Sequence, residues 1–212
     1  TIEQCAKLKN RDVEELAGEL AGAREKLFKR RLGRIRPARD DKVLVAWNAL
    51  AIEALARAAA ALDEPRYAEA AATAADFLLT RVRREDGRLW HTYAAGAAKL
   101  DAYLDDYACL ISALVALYET DFNERWINEA VRLAELMIEH FHDPDEAGFY
   151  YTADDHEQLI ARVKDCVDSS VPSGNSAAAC ALLRLGHLTA RDDFLTTARA
   201  TIAAFAGIAM QS

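Results

Sequence analysis

One stretch restricts this chain more than any other. Tyr107–Tyr118 holds a single polar residue, Ser112, and contains neither Gly nor Pro. A helix that is apolar nearly all round has no face to give to water and must be enclosed on most sides. The segment after it behaves differently. In Trp126–Phe141 the apolar positions are 126, 130, 133, 134, 137, 138 and 141, the spacing of a helix with one buried face.

The same couple, an enclosed helix and then a one-faced helix, recurs along the chain. Val43–Leu62 is interrupted after Ala49 only by Glu53 and Arg57, and it precedes Arg66–Val82. Leu104–Glu119 precedes Glu124–Phe141, and Asn175–Leu188 precedes Asp193–Ala209. The aromatics opening the second helices, Tyr67, Trp126 and Phe194, lie 59 and 68 residues apart. Hairpin-like stretches follow the first two couples, at Asp86–Tyr93 and Gly148–Thr152. Buried and one-faced helices in alternation make an inner and an outer layer, so the fold class is all-α, a partial α/α toroid of helical hairpins. An α-solenoid is the rival, but its repeats run to about 34 to 47 residues and are shorter than these. The chain divides into a charged helix with a basic linker (1–39; the helix itself over 12–32) and three hairpins (40–100, 101–167, 168–212). Composition agrees: 44 of 212 residues are Ala and 25 are Leu, against 9 Gly and 4 Pro, which disfavours sandwiches, strand barrels and disordered chains. The chain begins at Thr1 and ends inside an apolar helical pattern, so both ends read as cuts in a longer protein.

The net charge of −8 disfavours nucleic acid as partner. Residues 24–39 nevertheless hold eight Lys/Arg against one Glu, a solvated face or a docking surface. Cys5, Cys109, Cys166 and Cys180 form no CxxC pair, which fits a reducing, cytoplasmic setting and gives no zinc or redox motif. His140 and His142 stand on different helix faces, so no metal site and no cofactor are expected. Tyr107–Tyr118 is too short to span a bilayer. An open ring would expose its inner helices, so self-association is expected.

Inner helices that all run the same way bring their N-termini to one mouth. Shifting by the repeat offsets aligns Trp47-Asn48 with Asp106-Tyr107 and with Gly174-Asn175. Asp40, Asp41, Asp105, Asp168 and Ser173 stand beside them. Each Asp, Ser or Asn there has an ordinary use in capping a helix. The doublets Asp40-Asp41 and Asp105-Asp106 offer more carboxylates than caps require. Paired carboxylates serve glycoside hydrolysis, and aromatics such as Trp47, Trp90 and Tyr107 suit sugar rings. The catalytic candidates are Asp105, Asp106, Asp40, Asp41 and Asp168. The substrate-binding candidates are Trp47, Asn48, Trp90, Tyr107, Ser173 and Asn175. On this reading Asp106→Asn removes sugar turnover and leaves the melting temperature nearly unchanged, whereas a capping role makes the same change destabilising.

Arg36-Pro37, Asp40-Asp41-Lys42-Val43-Leu44, Trp47-Asn48, Tyr103-Leu104-Asp105-Asp106-Tyr107-Ala108, Asp168 and Pro172-Ser173-Gly174-Asn175-Ser176 together resemble the hallmark of the spermatogenesis-associated, thioredoxin-domain-containing protein family. The chain departs from that pattern at Ala49, where the family usually has Gly. The resemblance implies a slice of a helical region similar to six-hairpin glycosidases and to the N-acylglucosamine 2-epimerase group. It also implies a parent with a thioredoxin-like domain outside this chain. A glycosidase- or epimerase-like activity on a carbohydrate ligand follows by analogy. The alternative is a non-catalytic scaffold for the thioredoxin-like domain.

Overall fold

The computed structural model describes residues 1–157 and 161–209. The C-terminal residues 210–212 lie outside them. The chain falls into two compact units, Thr1–Asp40 and Asp41–Ser212.

The first unit is a pair of helices, α1 (Ile2–Lys9) and α2 (Val13–Leu32). The helix expected over 12–32 is α2, whose N-cap Asp12 accepts from the N–H groups of Glu14 and Glu15. Helix α1 is an addition. Its signal is the Thr1-x-x-Gln4 capping box, and Asn10 ends it in the left-handed conformation. Ala6 and Leu16 are buried here, while Leu27, Phe28, Leu32 and Ile35 are exposed.

The second unit opens with β1 (Val43–Leu44) and continues as α3 (Val45–Leu62), α4 (Pro65–Arg81), β2 (Trp90–Ala94), β3 (Ala97–Asp101), α5 (Leu104–Asp121), α6 (Glu124–Phe141), α7 (Gly174–Thr189) and α8 (Asp192–Ala209). Two details differ from the sequence expectation. Val43-Leu44 is an edge strand, pairing antiparallel with Tyr93 and Thr92, and not the first turn of α3. The hairpin lies later than expected, with β2 and β3 paired from Trp90↔Asp101 to Ala94↔Ala97 and turning at Ala95-Gly96, both at positive φ. Asp86-Gly87 makes a separate turn closed by the Arg83↔Leu89 bridge. It was the stronger turn signal, but Trp-His-Thr-Tyr after it is strand, not turn.

The layers are as the periodicity requires. α3, α5 and α7 pack side by side, and α4, α6 and α8 each pack on their own inner partner. α5 is enclosed from Asp106 to Leu117 without a break. α6 buries Trp126, Ala130, Leu133, Ala134, Met137 and Phe141. Small residues permit close approach: a Cβ on Gly174 would sit 2.8 Å from Leu104 Cδ2, so the first turns of α7 and α5 touch. Farther along, Arg184 of α7 reaches Glu53 of α3 at 3.1 Å and Glu119 of α5 at 2.8 Å. α3 is long and apolar enough to cross a membrane by length and composition alone; here it packs on α4 and α5. All four cysteines are free.

Candidate active site at the N-terminal ends of the inner helices

Helices α3 and α5 begin side by side, and one side chain satisfies both starts. α3 has no side-chain cap of its own. Its Ala46 N–H donates instead to Asp106 Oδ1 of α5 at 2.9 Å. Asp106 Oδ2 accepts from the Tyr103 N–H at 2.9 Å, which caps α5. The same oxygen lies 2.8 Å from His91 Nδ1 on β2. Asp106 is fully buried. It therefore joins two helix termini, whose N–H groups carry partial positive charge, to a histidine of the sheet. His91 has its pKa raised by its hydrogen bond to Asp106, against the opposing effect of burial.

Asp105, one residue earlier, points elsewhere and is half-buried. Its Oδ1 is buried with no hydrogen-bond partner. Burial first, and then the Asp106 charge, push its pKa up to about 6. Two residues before it, Tyr103 gathers aromatic rings. Tyr103 stacks on Tyr151 with centroids 4.8 Å apart and planes 10° from parallel. His91 meets the edge of Tyr103 at 5.0 Å, and His156 lies 5.3 Å from it. Tyr151 is held in place through its carbonyl, which accepts from the Leu104 N–H at 3.0 Å.

Both raised pKa values have the same sign in linkage. A folded-state pKa above the unfolded value gives stability that is complete below the unfolded pKa and lost as pH rises through the folded one. For Asp105 that window runs from about pH 4, its unfolded value, to about 6. Asp105→Asn is expected to gain about 1 kcal/mol over the natural chain between pH 5 and 7.5, after allowance for partial exposure. Thermal melts of both proteins across that range check it, and a constant gap between them excludes a protonated Asp105.

The remaining candidates have other positions. Tyr107 is buried against Phe141, its hydroxyl accepts the Leu89 N–H at 3.0 Å, and burial lifts its pKa to about 12. Trp90 points to the opposite face of β2 from His91 and lies under the Arg84 guanidinium. Trp47 is 63% exposed, on the side of α3 that also exposes Ala51 and Ala54. Asn48 donates to the Leu44 carbonyl and lines a groove of about 740 Å³ beside Arg66 and Phe77. Ser173 caps α7, and Asp168 accepts the Ser173 N–H at 2.9 Å. Asn175 is buried and bonded to backbone. Asp40 closes the first unit and Asp41 opens the second, both exposed. Sequence reasoning missed His91, Tyr103, Tyr151 and His156 as site residues. Strand alternation could have paired His91, rather than Trp90, with the carboxylates. His140, Asp154 and Asp155 bring metal-type ligand atoms within 4.8 Å, but Asp154 is bonded to His140 and Asp155 to Arg88.

No family model matches the chain. Among curated proteins it is 32% identical over 204 residues to spermatogenesis-associated protein 20 of Mus musculus and of Homo sapiens, covering 92% of this chain and 26% of each relative. The chain thus spans about a quarter of the length of the curated relatives it matches. Solved structures share its fold at low identity. Cellobiose 2-epimerase from Spirochaeta thermophila gives a TM-score of 0.64 at 16% identity, over 77% of this chain and 43% of that one. Unsaturated glucuronyl hydrolase from a Bacillus species gives 0.63 at 18%, over 81% and 49%. An inactive α-1,6-mannanase from a Salegentibacter species, with two consecutive aspartates replaced by alanine and a mannotetraose bound, gives 0.63 at 15%, over 77% and 47%. Across nearly its whole length the chain is a homologue of the spermatogenesis-associated protein 20 sequences, and its fold is that of a partial α/α toroid.

Proposed function

We propose that the mouth binds a saccharide and that Asp105 exchanges a proton with it. The observation that carries this reading is the unpartnered carboxyl oxygen of Asp105, two residues along the chain from Tyr103, which stacks on Tyr151. A carboxyl poised near pH 6 can both give and take a proton near neutrality. The half-buried Asp105 carboxyl is an acceptor for a sugar hydroxyl, and the exposed Tyr151 suits the apolar face of a pyranose. Asp106 orients His91 and is a positioning residue. The fold neighbours named as epimerase, mannanase and glucuronyl hydrolase support a carbohydrate reading. This chain also carries consecutive aspartates, Asp105-Asp106, as the mannanase does where its inactive variant was changed. Because those neighbours are about twice as long, the rest of the parent protein would supply the opposite wall.

The test is saccharide binding by the full-length protein that carries this sequence. Asp105→Asn is expected to weaken binding by at least about tenfold, equivalent to about 1.4 kcal/mol, and to remove any turnover without unfolding the unit. Unchanged binding overturns the role of Asp105.

A second reading has its own observation. Leu27, Phe28, Leu32 and Ile35 are exposed among Arg31, Arg34 and Arg36, an apolar and basic face that would dock a thioredoxin-like domain of the parent. Salt-sensitive binding of that domain to residues 1–40, with no glycan bound by the full-length protein, favours this scaffold reading.

A further inference from the structure

We propose that the mouth selects saccharides by charge, admitting uncharged and amine-bearing sugars and rejecting sugar carboxylates. This rests on the saccharide reading above and narrows it to a substrate class. The argument is the placement of charged groups around the tyrosine pair. Asp101 stands two residues before Tyr103 and the doublet Asp105-Asp106 two and three residues after it; Asp106 Oδ2 accepts the Tyr103 N–H at 2.9 Å, and Tyr103 stacks on Tyr151. Recognition of a sugar carboxylate calls for a free guanidinium or ammonium, best as a bidentate pair.

Four cations at this end of the second unit are committed elsewhere. Arg84 is paired with Asp101 and Asp86. Arg88 is paired with Asp86 and Asp155. Arg162 donates to the carbonyls of Thr152 and His140 and lies over Tyr150. Lys164 is 2.6 Å from Asp143. His91, which bears on Asp105, is bonded to Asp106. An ammonium beside the Asp105 carboxyl would gain a charge-assisted hydrogen bond and a tyrosine face. A carboxylate there would meet like charge in a partly desolvated site.

The experiment is a glycan array of uncharged, amino and uronate oligosaccharides in several linkages, probed with the full-length protein at pH 7. Affinities for the strongest member of each class then follow by calorimetry at low and high salt. The expected order is amine, then uncharged, then uronate, with the uronate at least about tenfold weaker than its uncharged counterpart. The amine preference is expected to shrink at 0.5 M salt and in Asp105→Asn. Uronates bound as well as uncharged sugars overturn the charge selection and leave the saccharide reading standing. Binding in no class overturns the saccharide reading itself.

Discussion

Replacing Asp106 with alanine is expected to lower the stability of the second unit by about 3 to 5 kcal/mol. The reason is what the carboxylate leaves behind. The Ala46 and Tyr103 N–H groups each donate to it, and His91 Nδ1 lies against it, in a site with no exposure. An N–H orphaned away from water costs about 1 to 3 kcal/mol, and here the orphans stand at the starts of two helices that must lie side by side. A unit of this size loses about 2 to 4 °C per kcal/mol, so the melt should move down by about 10 °C. Asp106→Asn should fall between: one amide oxygen can keep Ala46, but the amide NH₂ faces another donor at Tyr103. This is the opposite of a thermally silent Asp106→Asn, so the melt decides between the two readings of Asp106. The check is differential scanning calorimetry of both variants beside Asp105→Asn, which should move the other way at pH 7.5. Three coincident melts would mean that Asp106 does not hold the helix termini.

The contrast between the two aspartates marks where sequence reading stops. The helices were legible because enclosure and one-facedness are written in spacing: Glu124–Phe141 is the helix its apolar stripe predicts. The convergence of inner N-termini followed from the repeat offsets, and Gly174 against Leu104 is its physical expression. The division of roles within Asp105-Asp106 was not legible. Adjacent residues on a helix point about 100° apart, and which of them turns into the seam depends on where α3 lies. The hairpin failed for a similar reason. Asp86-Gly87 looks like a hairpin turn, and moving the strands by a few residues decided whether Trp90 or His91 faces the carboxylates. Tyr151 arrives from a long connection with no periodicity, so no pattern could place its ring on Tyr103.

That connection, between α6 and α7, is also where the largest remaining effect is expected. Asn175→Ala should destabilise the second unit by about 3 kcal/mol, because one side chain stands in for a missing strand partner. Its Oδ1 accepts the Phe149 N–H at 2.7 Å, and its Nδ2 donates to the carbonyls of Phe149 at 2.9 Å and Asp165 at 2.8 Å. Asn175 and Phe149 are both buried, so water cannot replace these bonds. The preceding residue, Gly148, is at φ +76°, and a Cβ there would meet Phe205 at 2.9 Å, so this backbone lies close against α8 with no room for a side chain. Asn175→Asp separates hydrogen bonding from shape. The carboxylate keeps the Phe149 N–H but sets negative charge against two carbonyl oxygens, so near neutral pH it should be no more stable than the alanine variant. Protonation restores one donor. The folded-state pKa of that aspartate is therefore raised above about 3.9, and stability present below that value is lost as pH rises through the higher one. Chemical denaturation at pH 4.5 and 7.5 should show the aspartate variant gaining on the alanine variant at the lower pH. If instead the two stay parallel, the Phe149 and Asp165 carbonyls do not depend on a donor at position 175.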